Sequence, residues 1–495
     1  RANLLRPVEN LLKGSVLEIG AGCGDITRYL GEIGAEVVAL EGSRRRAGVV
    51  RSRCRDLPNV QVVNDVAEEA GALPPFDVVT LIGVLEYARI YGRGSVPERE
   101  LLSKAWSQLA DDGVLIVAIE NQIGLKYLAG MPEDHVGKAM HGISGHYTDD
   151  SVVTFGSEEL RRLLVDAGFG RVEFALPFPD YKFPKSVLME PAFDGSVPAF
   201  NAYTLASQSA VSDPQIPYPP LFSLERVWEM VGRNGLLLPL ANSFLVIAYK
   251  SAIGERPITT DIAFHYATDR LPGYSKQTSF HLLERGKIEV RNRPVCPHTV
   301  PLRERPIGFT LRDEVYVSGT PYTVKLQKLL TQPGWTAENV TDWLRGWLDA
   351  LDAKVDADGG PPRHGVVPGW AIDALPQNLI VPSDGGTPVF IDLEWEWLGE
   401  VGRDYLAYRA VVVSLTSITA VAAPQDLRHV YIESLLRDIM TLLGFGAARA
   451  DVERYLDLDG ALRRLVYGAD SGLSISAFAD MRMRLLMDVR EAATD

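Results

Sequence analysis

At 495 residues, 46% hydrophobic and 23% charged, the chain is too long for one hydrophobic core and ordinary in composition, which predicts two or three globular domains. A formal net charge of -14 and a pI of about 5.2 exclude a general polyanion-binding field and argue against nucleic acid as the main partner. Cys23, Cys54 and Cys296 are too few and too scattered for a disulfide framework or a zinc site, and no apolar run reaches membrane-spanning length; a soluble chain in a reducing cytoplasm is expected.

No leader with a basic start and an apolar centre precedes the first predicted strand, and a start at Arg1 leaves an upstream domain open. Residues 16–30, VLEIGAGCGDITRYL, read as strand, glycine turn and helix. Val16, Leu17 and Ile19 suit a buried parallel strand, while Gly20, Gly22 and Gly24 let the backbone turn tightly beside a ligand. Glycine turns that bind nothing share this spacing, so the following strands decide. Residues 37–40 are a second apolar run ending in Glu41, about twenty residues past the first glycine, where a carboxylate can accept both ribose hydroxyls of a nucleotide. The arginines at 44–46, 51, 53 and 55 spread around a helix and read as a solvated face.

Residues 60–63 form a third strand, followed by Asn64 and Asp65. A fourth, 76–82, runs into Gly83, Glu86 and Tyr87, and a fifth, 114–119, delivers Glu120 and Asn121 to the same carboxyl edge, where ligands bind in open sheets. The order EIGAGCG, with Glu18 just ahead of the glycines, resembles the class I S-adenosylmethionine-dependent methyltransferases. The resemblance implies an α/β, Rossmann-like sheet holding S-adenosyl-L-methionine through Glu18, Gly20, Gly22, Gly24, Glu41, Asp65, Gly83 and Glu86. Asp65 would meet the adenine amino group, cap the next helix, or both.

Methyl transfer rests largely on positioning, and a base is needed only for an oxygen or protonated nitrogen acceptor. Residues 121–147 carry the base candidates Glu133, Asp134, His135, His141 and His146. His135, beside an acidic pair that could orient it, leads a catalytic set with His141 and Asp134, and the spacing suggests no metal site in this domain. A Ser-capped helix over 157–168 and a strand over 171–175 follow. A proline-dense stretch then runs irregularly to about 239, and 243–249 closes the sheet. The intervening residues, about 176–242, are expected to be a lid or acceptor platform. Its Phe178, Tyr181, Phe183 and Tyr218 either stack on a sugar or pack on the core. NQIGLKYLAG, EDHVG, TFGSEEL, PFPDYKFP and NSFLVIAYK together resemble a bacterial methyltransferase group associated with lipopolysaccharide and other surface-polysaccharide loci. That resemblance implies a glycan or glycolipid acceptor and glycan-assembly partners.

The first domain thus spans 1–252, and a linker leads to a second at 259–423. HYATDRLPGYSKQTSFHLLERGKIEVRNRP resembles the start of a kinase-like α+β lobe, and DALPQN with IDLEW continues the rhythm. The resemblance implies that Asp373 holds an acceptor hydroxyl while Asn378 and Asp392 hold Mg on ATP phosphates. Asn292 stands where the phosphate-binding lysine belongs, Lys287 points to the opposite strand face, and Lys325 and Lys328 read as solvated. A degenerate kinase fold that binds a partner or supports the first domain is favoured over an active kinase. Trp343, Trp347 and Leu351 form a core stripe, and 424–495 is expected to be a helical C-terminal region with helices over 426–443, around Tyr455 and over 475–492. Three functions compete: a methyltransferase O-methylating a surface-polysaccharide sugar, a bifunctional kinase-methyltransferase capping a glycan chain, and a scaffold in a glycan-assembly complex.

Overall fold

A computed structural model describes residues 1–65, 74–92, 96–216, 218–252, 259–297, 306–359, 365–468 and 473–487. The chain forms two compact units: Arg1–Val197 with Ser212–Gln215 and Val231–Phe264, and Pro198–Val211 with Ile216–Met230 and His265–Asp495. No helix among the described residues is long and apolar enough to cross a membrane.

The first unit is built on a Rossmann-like sheet. Its strands are β1 (Ser15–Ile19), β2 (Glu36–Leu40), β3 (Val60–Val63), β4 (Phe76–Ile82), β5 (Leu109–Glu120), β6 (Arg171–Phe178), β7 (Ser186–Met189) and β8 (Ser243–Tyr249), in the spatial order β7-β6-β8-β5-β4-β1-β2-β3. β3, β2, β1, β4 and β5 run parallel, whereas β8 is antiparallel to both β5 and β6. The helices α1 (Asp25–Glu32), α2 (Arg44–Arg53), α3 (Pro97–Ser107), α4 (Leu125–Leu128) and α5 (Ser157–Asp166) alternate with these strands.

Continuous apolar runs explain the central strands, since a strand covered on both faces has no polar side to show. All of β8 is buried, as are Val78, Val79 and Leu81 of β4. One polar tie aligns the sheet's middle: the Asp77 carboxylate accepts the Ser15 N–H and hydroxyl, both at 2.8 Å. The strand order reverses beside β1, so the turn after β1 and the ends of β4 and β5 open onto the crevice where such sheets take ligands.

Several sequence expectations are corrected. β5 begins at Leu109 rather than Val114, and β8, which the sequence reading has closing the sheet, lies between β5 and β6. Helix α5 has no side-chain cap; Gly156 precedes it and Ser157 is buried in its first turn. The lid expected over 176–242 divides: β6 and β7 form an antiparallel ribbon in the first unit, while 198–211 and 216–230 belong to the second. Phe178 is fully buried and Tyr181 nearly so, leaving only Phe183 and Tyr218 of the four aromatics exposed.

In the second unit, strands Lys276–Leu282 and Ile288–Pro294 pair antiparallel. The helix Ala337–Ala357 starts from a Thr336/Asn339 capping box and buries Trp343, Leu344, Trp347, Leu348 and Leu351. The C-terminal helices are not a separate region: Leu435, Ile439, Tyr455 and Phe478 share one apolar core with Trp347. Their boundaries also differ, since a 3-10 turn at Leu427–Val430 precedes the helix Ile432–Leu442, and the last helix is Ile475–Ala479 with 488–495 outside the described residues. Trp347 is 0% exposed and its indole N–H donates to the Ala374 carbonyl at 2.9 Å. Trp347→Ala should therefore lower the unfolding free energy by about 3–5 kcal/mol, read from the denaturant midpoint; a loss under about 1 kcal/mol would contradict a tightly packed core.

Candidate functional site

The first cluster forms where β1 turns into α1. Gly20 and Gly22 adopt φ of +77° and +58°, conformations that side chains rarely tolerate. A Cβ on Gly20 would lie 2.5 Å from Val84, whereas one on Gly22 would meet only a carbonyl oxygen 4.0 Å away. Gly20 is thus required by packing, and Gly22 keeps a backbone face open.

Glu41, at the end of β2, is 2% exposed and clasps this turn. Its carboxylate accepts the Gly22 N–H at 2.8 Å through one oxygen, and the Ser43 N–H at 2.8 Å and Arg46 Nε at 2.9 Å through the other. One arginine of the basic cluster is therefore bound to the site and not merely solvated. Asn64 donates to the Glu41 and Gly42 carbonyls at 2.8 and 3.1 Å, which leaves Asp65 at the same edge; the helix that Asp65 was expected to cap lies outside the described residues. Glu18 is buried beneath the turn, accepts the Thr27 hydroxyl at 2.6 Å, and is pushed up to about 8 by burial, with the Glu41 charge adding to the rise.

The second cluster sits at the ends of β4 and β5. Gly83, at φ +69°, lets the chain pass 2.9 Å beneath the Tyr181 hydroxyl, measured from an added Cβ, and the following turn, Leu85–Tyr87, buries Glu86. Glu120 ends β5 with 0% exposure, 2.5 Å from Lys182 Nζ and 3.4 Å from the Tyr181 hydroxyl. His135 Nε2 lies 3.6 Å from the other Glu120 oxygen, and its Nδ1 lies 3.1 Å from the Tyr87 hydroxyl. Glu133 fixes the His135 loop by accepting the N–H groups of His135 and Val136 at 2.8 and 2.7 Å.

Opposing environments separate these groups. Burial, reinforced by the Glu120 charge, raises the Glu86 carboxyl well above the usual range. Burial also penalises the Glu120 charge, yet His135 and Lys182 outweigh it and hold that carboxyl below its usual value. Burial disfavours the His135 cation, but Glu120 prevails and raises the imidazole.

The expected catalytic set is only partly assembled. His135 reaches the centre. Asp134 is instead paired off: against burial, Lys126 at 3.0 Å and Lys182 at 2.9 Å hold it far below the carboxylate range. His141 packs instead against the rings of His146 and Tyr147, at centroid distances of 5.9 and 5.5 Å. Lys182 was not singled out in the sequence; Glu120 was placed at the ligand edge without a role, and Tyr181 only among the aromatics that stack on a sugar or pack on the core.

The second unit gathers its own polar cluster. Asn292 is a structural residue, accepting the Thr278 hydroxyl at 2.6 Å and donating to the Arg312 carbonyl at 2.9 Å. A buried lysine stands on the neighbouring strand: Lys276, 2% exposed, lies 2.5 Å from Asp392 and 2.6 Å from Glu394. Asp392 takes a left-handed φ of +55°. Asp373 accepts the N–H groups of Glu394 and Trp395 at 2.7 and 3.1 Å, and burial, with the Glu394 and Asp392 charges, pushes it up to about 7. Asn378 donates to the Asp373 carbonyl at 2.9 Å.

Glu18 gives the site a defined pH signature. Between its ordinary 4.5 and about 8 the folded chain holds a proton that the unfolded chain releases, so this contribution to stability falls as pH rises through that window and is flat above it. Glu18→Gln should flatten that part of the decline, measured as denaturant midpoints of wild type and variant across the window. Equal slopes in the two proteins would contradict a buried neutral Glu18.

Residues 17–115 match the model of a methyltransferase domain family. Among curated proteins, the ribosomal RNA small subunit methyltransferase A of Streptococcus equi subsp. zooepidemicus (strain MGCS10565) is 46% identical over 50 residues, 10% of this chain and 17% of that protein; the Streptococcus pyogenes serotype M1 protein of the same name gives the same figures. The chain thus spans about one sixth of the length of the curated relatives it matches. Among solved structures, a SAM-dependent methyltransferase from Archaeoglobus fulgidus has 17% identity and a TM-score of 0.31, covering 50% of this chain and 92% of that one. The N-methyltransferase NodS from Bradyrhizobium japonicum WM9 has 16% identity and a TM-score of 0.27, covering 35% and 82%. The family match falls on the strands and turns that build the first cluster, so residues 17–115 of the first unit are similar to a methyltransferase domain.

Proposed function

We propose that the chain is an S-adenosylmethionine-dependent methyltransferase that methylates a hydroxyl of a sugar in a bacterial surface polysaccharide or related glycoconjugate. The observation that carries the reading is the Glu41 clasp on a glycine turn whose Gly22 face is open, with a second polar cluster at the ends of β4 and β5. Gly20, Gly22 and Gly24 would cradle the cofactor, Glu41 would accept its ribose hydroxyls, and Asp65 would meet its adenine. Bound there, the sulfonium supplies a methyl group with a neutral leaving group. The protein's part is to hold the acceptor in line and receive its proton, for which Glu120 and His135 stand ready. Lys182 and Lys126 hold Glu120, Asp134 and Asp180 in place. The sugar acceptor is supported by the resemblance to the surface-polysaccharide group and by a centre lined with hydroxyl-binding carboxylates.

A second reading adds phosphoryl transfer in the second unit. Its support is the ion pair of Lys276 with Asp392 and the bond of Asn378 to Asp373, residue types that a kinase-like ATP and Mg site would use. It predicts Mg-dependent ATP turnover that Asp392→Ala abolishes; absence of ATP binding would leave a degenerate fold or a scaffold role.

Labelled methyl from S-adenosylmethionine should enter the glycan fraction of a glycolipid and polysaccharide extract. Glu41→Ala should cut transfer at least tenfold. Gly22→Ala should also cut it, while costing no more than about 1–2 kcal/mol of stability, because its methyl fills only the open face. Label in a small-molecule or RNA fraction would overturn the sugar acceptor, and cofactor binding without transfer to any fraction would favour the scaffold.

A further inference from the structure

We propose that Glu86, Glu120 and His135 form a binding site for a divalent cation of the Zn2+ or Mn2+ class that holds the acceptor hydroxyl for methyl transfer; its catalytic role rests on the methyltransferase reading above. Three separate elements supply the residues: the turn after β4, the end of β5 and the loop after α4. They converge so that one ligand atom from each lies within 4.8 Å of the others.

The atoms that converge are unsatisfied ones. Glu86 Oε2, Glu120 Oε2 and His135 Nε2 are all buried without a hydrogen-bond partner, on side chains of which Glu86 is 1% and Glu120 0% exposed. Buried polar atoms are ordinarily paired, and these three, with only the 3.6 Å approach of His135 Nε2 to Glu120 Oε2 between them, leave room for a group that bonds to all of them. Their opposite ends are already held. Glu120 Oε1 is taken by Lys182 at 2.5 Å and Tyr181 at 3.4 Å. A neutral imidazole that ligates through Nε2 carries its proton on Nδ1, where the Tyr87 hydroxyl oxygen stands 3.1 Å away to accept it. Outer partners of this kind orient the ligands of metal sites.

Charge and spacing agree with a cation. Lys126 and Lys182 are shared among Glu120, Asp134 and Asp180, and Glu86 adds a fourth carboxyl group that a bound cation would draw into its charged form. Ligands about 2.1 Å from a tetrahedral ion sit ~3.4 Å apart. Glu120 Oε2 and His135 Nε2 are already 3.6 Å apart. Two carboxylates with one imidazole suit Zn2+ or Mn2+ over the all-oxygen preference of Mg2+ and Ca2+, and three protein ligands leave a position open. With Glu120 Oε2 and His135 Nε2 then holding the ion instead of taking the proton, an acceptor hydroxyl in that position loses its proton to water more readily. Its oxygen then bonds the methyl carbon as the carbon–sulfur bond breaks, the electron pair going to sulfur. The histidine spacing that suggested no metal here could not see this group, because its carboxylates come from two other strand ends.

The test uses the full chain, stripped with a chelator and titrated calorimetrically with ZnCl2 and separately with MnCl2, beside S-adenosylhomocysteine binding on the same samples. One equivalent of at least one ion should bind to wild type, at least tenfold more weakly to Glu86→Gln and to His135→Gln, both with wild-type circular dichroism. Methyl transfer should be lost in chelator and return with the ion. No binding to wild type, or equal binding to both folded variants, would overturn the site. Full transfer in chelator would overturn its catalytic role while leaving the methyltransferase reading intact. Ion binding lost in both variants, with no S-adenosylhomocysteine bound, would uphold the metal site and remove the methyltransferase reading instead.

Discussion

The first unit depends on the carboxylate of Glu41. Its two oxygens join the Gly22 amide, the first amide before α2 and the Arg46 side chain, so that three consecutive pieces of chain meet at one buried charge. A carboxylate at 2% exposure would be costly alone; bonded to two amides and a guanidinium it is satisfied. The same bonds pin the turn that opens the crevice. Fold and proposed site therefore share one interaction, and the polar group that closes the turn is also the one that, in the proposed function, would meet a ribose.

Beside it, a denser set of charges is arranged so that few are left uncompensated. Lys126 and Lys182 link Asp134, Asp180 and Glu120, and Glu133 holds the His135 loop by its amides. Buried side-chain atoms without a hydrogen-bond partner occur on Glu133 and Asp134 as well as on Glu86, Glu120 and His135, but the last three converge on one point.

Much of this was legible in the sequence. The apolar runs of β1 to β4, the glycine turn and Glu41 follow from local pattern, because parallel strands buried on both faces and a tight turn leave little freedom in residue choice. The core stripe of Trp343, Trp347 and Leu351 follows from helical spacing alone. What failed was non-local. β8 reads as a last strand in sequence, yet only pairing shows that it lies between β5 and β6. Asn292 drew attention by its place in a strand, while Lys276, one strand away, met Asp392 through folding that no spacing encodes. Asp134 looked like a base because it flanks His135; two lysines distant in sequence pair it off instead.

The central claim is that the Glu41 turn is a cofactor site, and a crystal structure of the chain with S-adenosylhomocysteine tests it most directly. The account predicts the adenosine in the crevice outside β1 and β2, with both ribose hydroxyls on the Glu41 carboxylate and the chain of the Gly22 turn against the ligand. An adenosine bound elsewhere, or a ribose that makes no contact with Glu41, would contradict it.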